Sequence, residues 1–142
     1  MATDPITVRT TARAPRDLTW HYYTDSDHIV NWNFASSDWH CPAAENDLRI
    51  GGDFRITMAA RDGSMSFDMA GTYNAVQPEK HLAYTFTNGR RVTVDFAEEG
   101  GATEVTVTFD PENEYPLEQQ REGWQAILDN FGRYAGEQAA QG

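Results

Sequence analysis

Apolar positions recur along this chain at two spacings: every second residue over most of its length, and every third or fourth near its C-terminal end. Ile6, Val8, Thr10 and Ala12 alternate with Thr7, Arg9 and Thr11, which predicts a strand covered on one face. Pro15 opens a short helix carrying Leu18, Trp20, Tyr22 and Tyr23; a second helical piece starts near Ser26 or Asp27 and ends around Trp32. From Asn33 to Asp47 the pattern fails. Ser36, Ser37, Pro42 and Asn46 predict a long irregular segment, which nevertheless holds Phe34, Trp39, His40 and Cys41.

From Leu48 the alternation resumes. Phe54, Ile56 and Met58 share one face, followed after Asp62-Gly63 by Met65, Phe67, Met69, Gly71 and Tyr73. Leu82, Tyr84 and Phe86 run up to Asn88-Gly89, Val92, Val94 and Phe96 up to Gly100-Gly101, and Val105, Val107 and Phe109 complete the set. Three hairpin-type turns between such strands predict an antiparallel meander with one wet face.

The last periodic stretch is a helix opened by Pro116. Leu117, Trp124, Ile127, Leu128, Phe131, Tyr134 and Ala135 form its apolar stripe, with Gln119, Glu122, Gln125, Asp129 and Arg133 on or near the opposite face. Gly136 is the expected stop and Glu137–Gly142 a frayed tail. The order is strand, two short helices, about six strands and a long helix, which is α+β. The economical way to bury both apolar surfaces lays that helix across the sheet. All 142 residues fit one domain, with an ordered core from about residue 5 to 136.

Composition narrows the partners. A formal charge of −11, from 22 acidic and 11 basic residues, opposes nucleic acid and anionic membrane surfaces. The single cysteine, Cys41, excludes an intrachain disulfide and fits a reducing compartment. No run is long enough to span a bilayer, and Met1-Ala2-Thr3-Asp4-Pro5 has no apolar signal core, so the expectation is a soluble cytoplasmic protein.

Gly51-Gly52-Asp53-Phe54, Asp62-Gly63, Phe67-Asp68, Gly71-Thr72-Tyr73, and Gly123-Trp124 with Ile127-Leu128 resemble the Hsp90-ATPase-activator-homologue (AHSA1-like) branch of the START-like, or SRPBCC, superfamily. The resemblance runs from about Ile6 to Ala135 and keeps the order of every element. It implies the helix-grip fold, a strongly curved antiparallel sheet around the C-terminal helix with a cavity between them. Relatives in the wider superfamily bind lipids, sterols, plant hormones or polyketides, and a few are cyclases.

A ligand in such a cavity would meet Phe54, Phe67, Met69, Tyr73, Tyr84 and Phe86 from the sheet, and Trp124, Leu128 and Phe131 from the helix. Met58 and Met65 add adaptable lining, Gly71 permits a bend or leaves room, and the Tyr73 and Tyr84 hydroxyls would orient a polar group. The competing reading of the same residues is a closed, fully packed core. Trp32 and Trp39, with Phe34, make either a lid over the cavity or a satellite cluster anchoring the loop. Arg121 lies beside the helix stripe, where it meets a ligand carboxylate at one end of the cavity or pairs with Glu118 or Glu122.

Asp38, His40 and Cys41 lack metal-ligand spacing, and His21, His28 and His81 belong to separate elements, so neither metal nor cofactor is expected. Asp68 and His81 alternate onto the outer face, and no nucleophile–base pair, phosphate loop or nucleotide fingerprint stands out. The leading expectation is a non-catalytic binder of a small hydrophobic or aromatic, lipid-like or polyketide-like ligand. The alternative is a polyketide cyclase or dehydratase using the same cavity, with an inward group of shifted pKa. A third reading, regulation of an Hsp90-type chaperone ATPase, is disfavoured because 142 residues leave no room for the eukaryotic activator's additional N-terminal domain. If the chain forms a homodimer, an edge strand or the exposed side of the Trp20 helix supplies the surface.

Overall fold

The computed structural model of the chain describes residues 4–141. Seven strands and three helices follow one another as β1 (Ile6–Ala12), α1 (Arg16–Thr24), α2 (Ser26–Ile29), β2 (Trp39–Asn46), β3 (Asp53–Ala60), β4 (Ser66–Gln77), β5 (His81–Phe86), β6 (Arg91–Glu99), β7 (Ala102–Phe109) and α3 (Leu117–Gln141). Every neighbouring pair is antiparallel in a single sheet of order β1-β7-β6-β5-β4-β3-β2. The chain thus runs as a meander from β2 to β7 and sends β1 to the far edge. The sheet curls into a half-barrel around α3, the helix-grip arrangement that the resemblance implies.

Alternation selects the gripping face. Val92 and Val94 of β6, and Val105, Val107 and Phe109 of β7, are buried in one core with Phe131 and Ala135 of α3, while Phe96 of β6 packs on Trp20 and Tyr23 of α1. At the tip between β5 and β6, Gly89 has φ 91°, a conformation that Asn-Gly turns supply without strain. A register shift between Tyr73 and Ala75 interrupts the β4–β5 ladder, the kind of irregularity that bends a strand and increases its twist. The β1 edge is sealed by the helix it lies beside: Arg121 Nη1 donates to the Thr7 carbonyl at 3.1 Å and Gln125 Nε2 to that of Arg9 at 2.7 Å.

Three boundaries differ from the sequence expectation. Residues expected to be irregular form β2, whose alternation is broken by a register shift between His40 and Ala43. Pro42 falls inside that shift on an edge strand, where its missing N–H costs no ladder bond. The second helical piece ends at Ile29 rather than near Trp32. Its last turn passes into a hydrogen-bonded turn in which Trp32 N–H donates to Ile29 at 3.2 Å and Asn33 N–H to the same carbonyl at 3.1 Å. Finally, α3 runs through Gly136 to Gln141, so Glu137–Gln141 is helix rather than frayed tail, and Gly142 lies outside the described residues. Gly136 packs beside Arg13, whose Cβ would stand 3.6 Å from a side chain there.

Candidate functional site

Between the N-terminal half of α3 and the far strands of the sheet lies a solvent-connected cavity of about 690 Å³. Its floor is aromatic. Trp124 stacks face to face on Phe109 with ring centres 4.0 Å apart and planes 9° apart, which turns its other face away from the sheet floor. Phe86 meets the edge of Trp124 at 6.2 Å, and Tyr84 meets Phe86 at 5.5 Å. Leu128 and Ile127 continue the wall along the helix, and Met58 and Met69 line the opposite side.

Eight of the eleven residues expected to meet a ligand line this space: Trp32, Trp39, Phe67, Met69, Tyr84, Phe86, Trp124 and Leu128. Phe54, Tyr73 and Phe131 do not reach it and stand in the packed interior behind its wall. Phe54 is drawn there by Gly71, its partner across the β3–β4 ladder. A Cβ at Gly71 would sit 3.0 Å from the Phe54 ring and 2.4 Å from the Thr85 carbonyl oxygen. The room left by the missing side chain is therefore filled by Phe54, which packs edge-on against Tyr84 at 4.9 Å. Tyr73 was expected to offer its hydroxyl to a ligand; it donates to Asn46 Oδ1 at 2.6 Å instead, while Asn46 Nδ2 donates to the Thr24 carbonyl at 2.6 Å. Phe131 is fully buried between Trp32 and Tyr23.

The expected lid divides in two. Trp32 is a fixed wall: it is buried, its Nε1–H donates to the Tyr22 carbonyl at 2.9 Å, and Asn130 Nδ2 ties its own carbonyl to α3 at 2.9 Å. Phe34 and Trp39 stay at the mouth with the exposed Met65, Phe67 and Tyr115, and Trp39 packs against Phe67 at 5.7 Å. Arg121 faces the β1 edge and Glu118, outside the cavity. The Asp68 carboxylate accepts from Thr57 at 2.7 Å and His81 meets Asp95 at 2.6 Å, both pairs lying on exposed surface. Cys41 is buried with its thiol on the Ala43 carbonyl, and burial pushes that thiol's pKa up. Among the described residues no three metal-ligating side chains converge.

Four polar groups at the cavity wall were not singled out from sequence for this role, or only in part. The Tyr23 and Tyr84 hydroxyls have no protein hydrogen-bond partner among the described residues. Burial pushes both upward: Tyr23 with some help from nearby Tyr73, and Tyr84 with help from Tyr23 and Tyr73 against an opposing pull from the Arg90 guanidinium. At neutral pH both hydroxyls are therefore donors and not phenolates. The Asn33 side chain is 5% exposed and its Oδ1 is buried without a partner. Arg90 lays its guanidinium carbon 5.1 Å from the centre of the Phe86 ring and keeps a buried Nε–H with no acceptor. Sequence periodicity had no means of finding Arg90, which belongs to a turn, or Asn33, which belongs to a loop.

Buried polar atoms are ordinarily paired, and two residues of this wall each keep one that is not: Asn33 its Oδ1 and Arg90 its Nε–H. The wall can hold an apolar body against Trp124, Phe86 and Leu128 while offering the Tyr23 and Tyr84 hydroxyls and the Arg90 guanidinium to an oxygen.

The sequence model for Activator of Hsp90 ATPase homolog 1-like proteins matches residues 13–136. The chain is 42% identical to the AHSA1-like protein of Aeromonas hydrophila, with 96% of each chain covered and a TM-score of 0.85. It is 43% identical to Chr148 of Cytophaga hutchinsonii, with 99% of this chain and 97% of that one covered and a TM-score of 0.81. DynU16, from the dynemicin biosynthetic locus, shares the fold at 17% identity and a TM-score of 0.70, with 93% of this chain matching 47% of that one. No curated protein matches the chain.

Proposed function

This chain belongs to the Activator of Hsp90 ATPase homolog 1-like family, within the START-like superfamily, and from that premise we propose that it binds a small hydrophobic or aromatic molecule without transforming it. The observation that carries this reading is the apolar cavity of about 690 Å³ itself, walled by Trp124, Phe86 and Leu128 with Tyr23, Tyr84, Asn33 and Arg90 among them. A guest would bury its apolar body against Trp124, Phe86, Leu128 and Met69, and would enter past Phe34, Trp39 and Phe67. Apolar burial supplies affinity at roughly 25 cal/mol per Å², and the polar groups supply orientation. No helix among the described residues is long and apolar enough to cross a membrane; the single cysteine, Cys41, supports the reducing cytoplasm as the place of binding in this reading.

Indole N–H resonances test this directly, because the four tryptophans divide by position. Trp32, Trp39 and Trp124 line the cavity, whereas Trp20 packs on Phe96 outside it. Titration with a panel of sterols, fatty acids and aromatic ketones should move the Trp124 and Trp39 signals and leave that of Trp20 in place. Shifts confined to Trp20 and surface residues across the whole panel would refute the reading.

An enzyme that folds a reactive chain in the same cavity is the second reading. The unpartnered Tyr84 hydroxyl favours it, and the shared fold of DynU16 makes the scaffold familiar. Tyr84 would serve it as a hydrogen-bond donor to the substrate's carbonyl, since burial keeps the hydroxyl protonated and makes it a weak acid. Turnover of a polyketone by the wild type and its loss in Tyr84→Phe, with binding retained, would establish that reading in place of the first.

A further inference from the structure

The binding reading above leaves the guest's chemistry open, and the mouth of the cavity narrows it. Arg90 reaches the wall from the turn that joins β5 to β6 and rests over Phe86. Its Nη2 lies 3.8 Å from Glu112 Oε2, close enough to balance the charge but too long for a hydrogen bond. The buried Nε–H has no acceptor at all. The guanidinium is therefore short of an oxygen lone pair, not short of a negative charge.

Glu112 is held at this place by its backbone. Gln120, 7% exposed, accepts from Glu112 N–H at 2.8 Å and donates through Nε2 to the Glu112 carbonyl at 3.0 Å and the Tyr115 carbonyl at 2.8 Å. Three hydrogen bonds from one buried amide fix the loop that carries Glu112 and Glu114, and both residues line the cavity. A carboxylate arriving at Arg90 would face these two acidic side chains on a protein whose formal charge is already −11. An uncharged carbonyl oxygen would accept from the guanidinium and meet none of that repulsion.

We propose that the cavity selects uncharged carbonyl compounds over carboxylates, with the Arg90 guanidinium donating to the carbonyl oxygen through a terminal amino group and Glu112 excluding a second negative charge. Tyr84 lies two residues from Phe86 on the same face of β5 and offers a further donor along the path of the guest.

Two fluorescent probes with one apolar body decide this: Prodan, a neutral dimethylaminonaphthyl ketone, and the corresponding dimethylaminonaphthoate. The wild-type chain should bind Prodan at least about tenfold more tightly. Glu112→Gln should tighten the naphthoate about tenfold and leave Prodan within about twofold, whereas Arg90→Met should weaken Prodan about tenfold. Glu112 is partly exposed at the mouth, so its substitution tests the claim even if Arg90→Met disturbs the turn. A wild-type preference for the naphthoate, or a ratio unmoved by Glu112→Gln, would overturn this inference while leaving the binding reading intact. If neither probe moves the Trp124 indole resonance while a member of the wider panel does, this inference falls alone; if the whole panel fails, both readings fall.

Discussion

Helix α3 packs twice against the same sheet, and its two halves end in different environments. In the C-terminal half, Phe131 and Ala135 are fully buried, and Gly132 brings the helix so close to β1 that an added Cβ would stand 2.7 Å from Thr10 Oγ1. In the N-terminal half, Gly123 would meet nothing within 4 Å, and Trp124 and Ile127 remain half-buried beside the cavity. Both halves carry apolar residues at the same helical spacing. The helix is tethered along the β1 edge through Arg121 and Gln125, so β3 and β4 have to curl over it from the other side. α1, α2 and Trp32 complete the cover over the C-terminal half, with Tyr23 and Trp32 both packed on Phe131. Over the N-terminal half the cover is only the loops that carry Phe34 and Tyr115. Apolar patterning makes two surfaces meet; how densely they meet depends on what closes the third side.

The contrast breaks most visibly at Phe131. Phe131→Ala should cost about 3–5 kcal/mol in urea unfolding, because the Trp32 and Tyr23 rings cannot collapse into the gap. A loss below about 1 kcal/mol would mean that the C-terminal half is not the solid one. Gly132→Val should destabilise by about 1–3 kcal/mol, since the contact with Thr10 leaves no room for a side chain. Thermal melts of the two variants order these effects.

Tyr73 stands in the packed interior behind the cavity wall, and its ionisation reports how dry that interior is. Burial, partly offset by the bond to Asn46, pushes its pKa from 10.0 up to about 12. The unfolded chain loses this proton first, so the contribution is constant below pH 10.0 and is lost as pH rises through about 12. The melting temperature should therefore fall over that window, and less steeply in Tyr73→Phe, which gives up about 1 kcal/mol at neutral pH with its bond to Asn46. A pH profile identical in the two proteins would place Tyr73 in wet surroundings.

The smallest effect has the opposite sign. Gly123→Ala should stabilise α3 by up to about 1 kcal/mol, as a helix-interior glycine gains a side chain that meets open space. Destabilisation at this position would show that the N-terminal half is as tightly packed as the other.

Particular residues show why some of this was legible along the chain. β3 to β7 could be read because their apolar residues alternate between turn signals over most of each strand, β4 losing the period only past Tyr73. β2 could not, because the shift between His40 and Ala43 moves its side chains off the period. Gly136 resembles a helix stop in one dimension, yet Arg13 packs beside it and the helix continues. Phe54 shares the inward face with true lining residues and is diverted only because Gly71 lies across the ladder. Tyr23 and Arg90, by contrast, carry no periodic signal at all; one is a residue of a short helix and the other follows a turn.

By itself the amino-acid order determined the α+β class, the meander, the long final helix and which face of each strand turns inward, because these follow from local spacing and turn chemistry. Only the tertiary structure decided which inward residues are packed and which border open space. It also decided which polar groups were left without partners there. Those outcomes depend on the meeting of strands, helix and loops far apart in sequence, and a period of two or of three to four carries no record of where such surfaces fail to close.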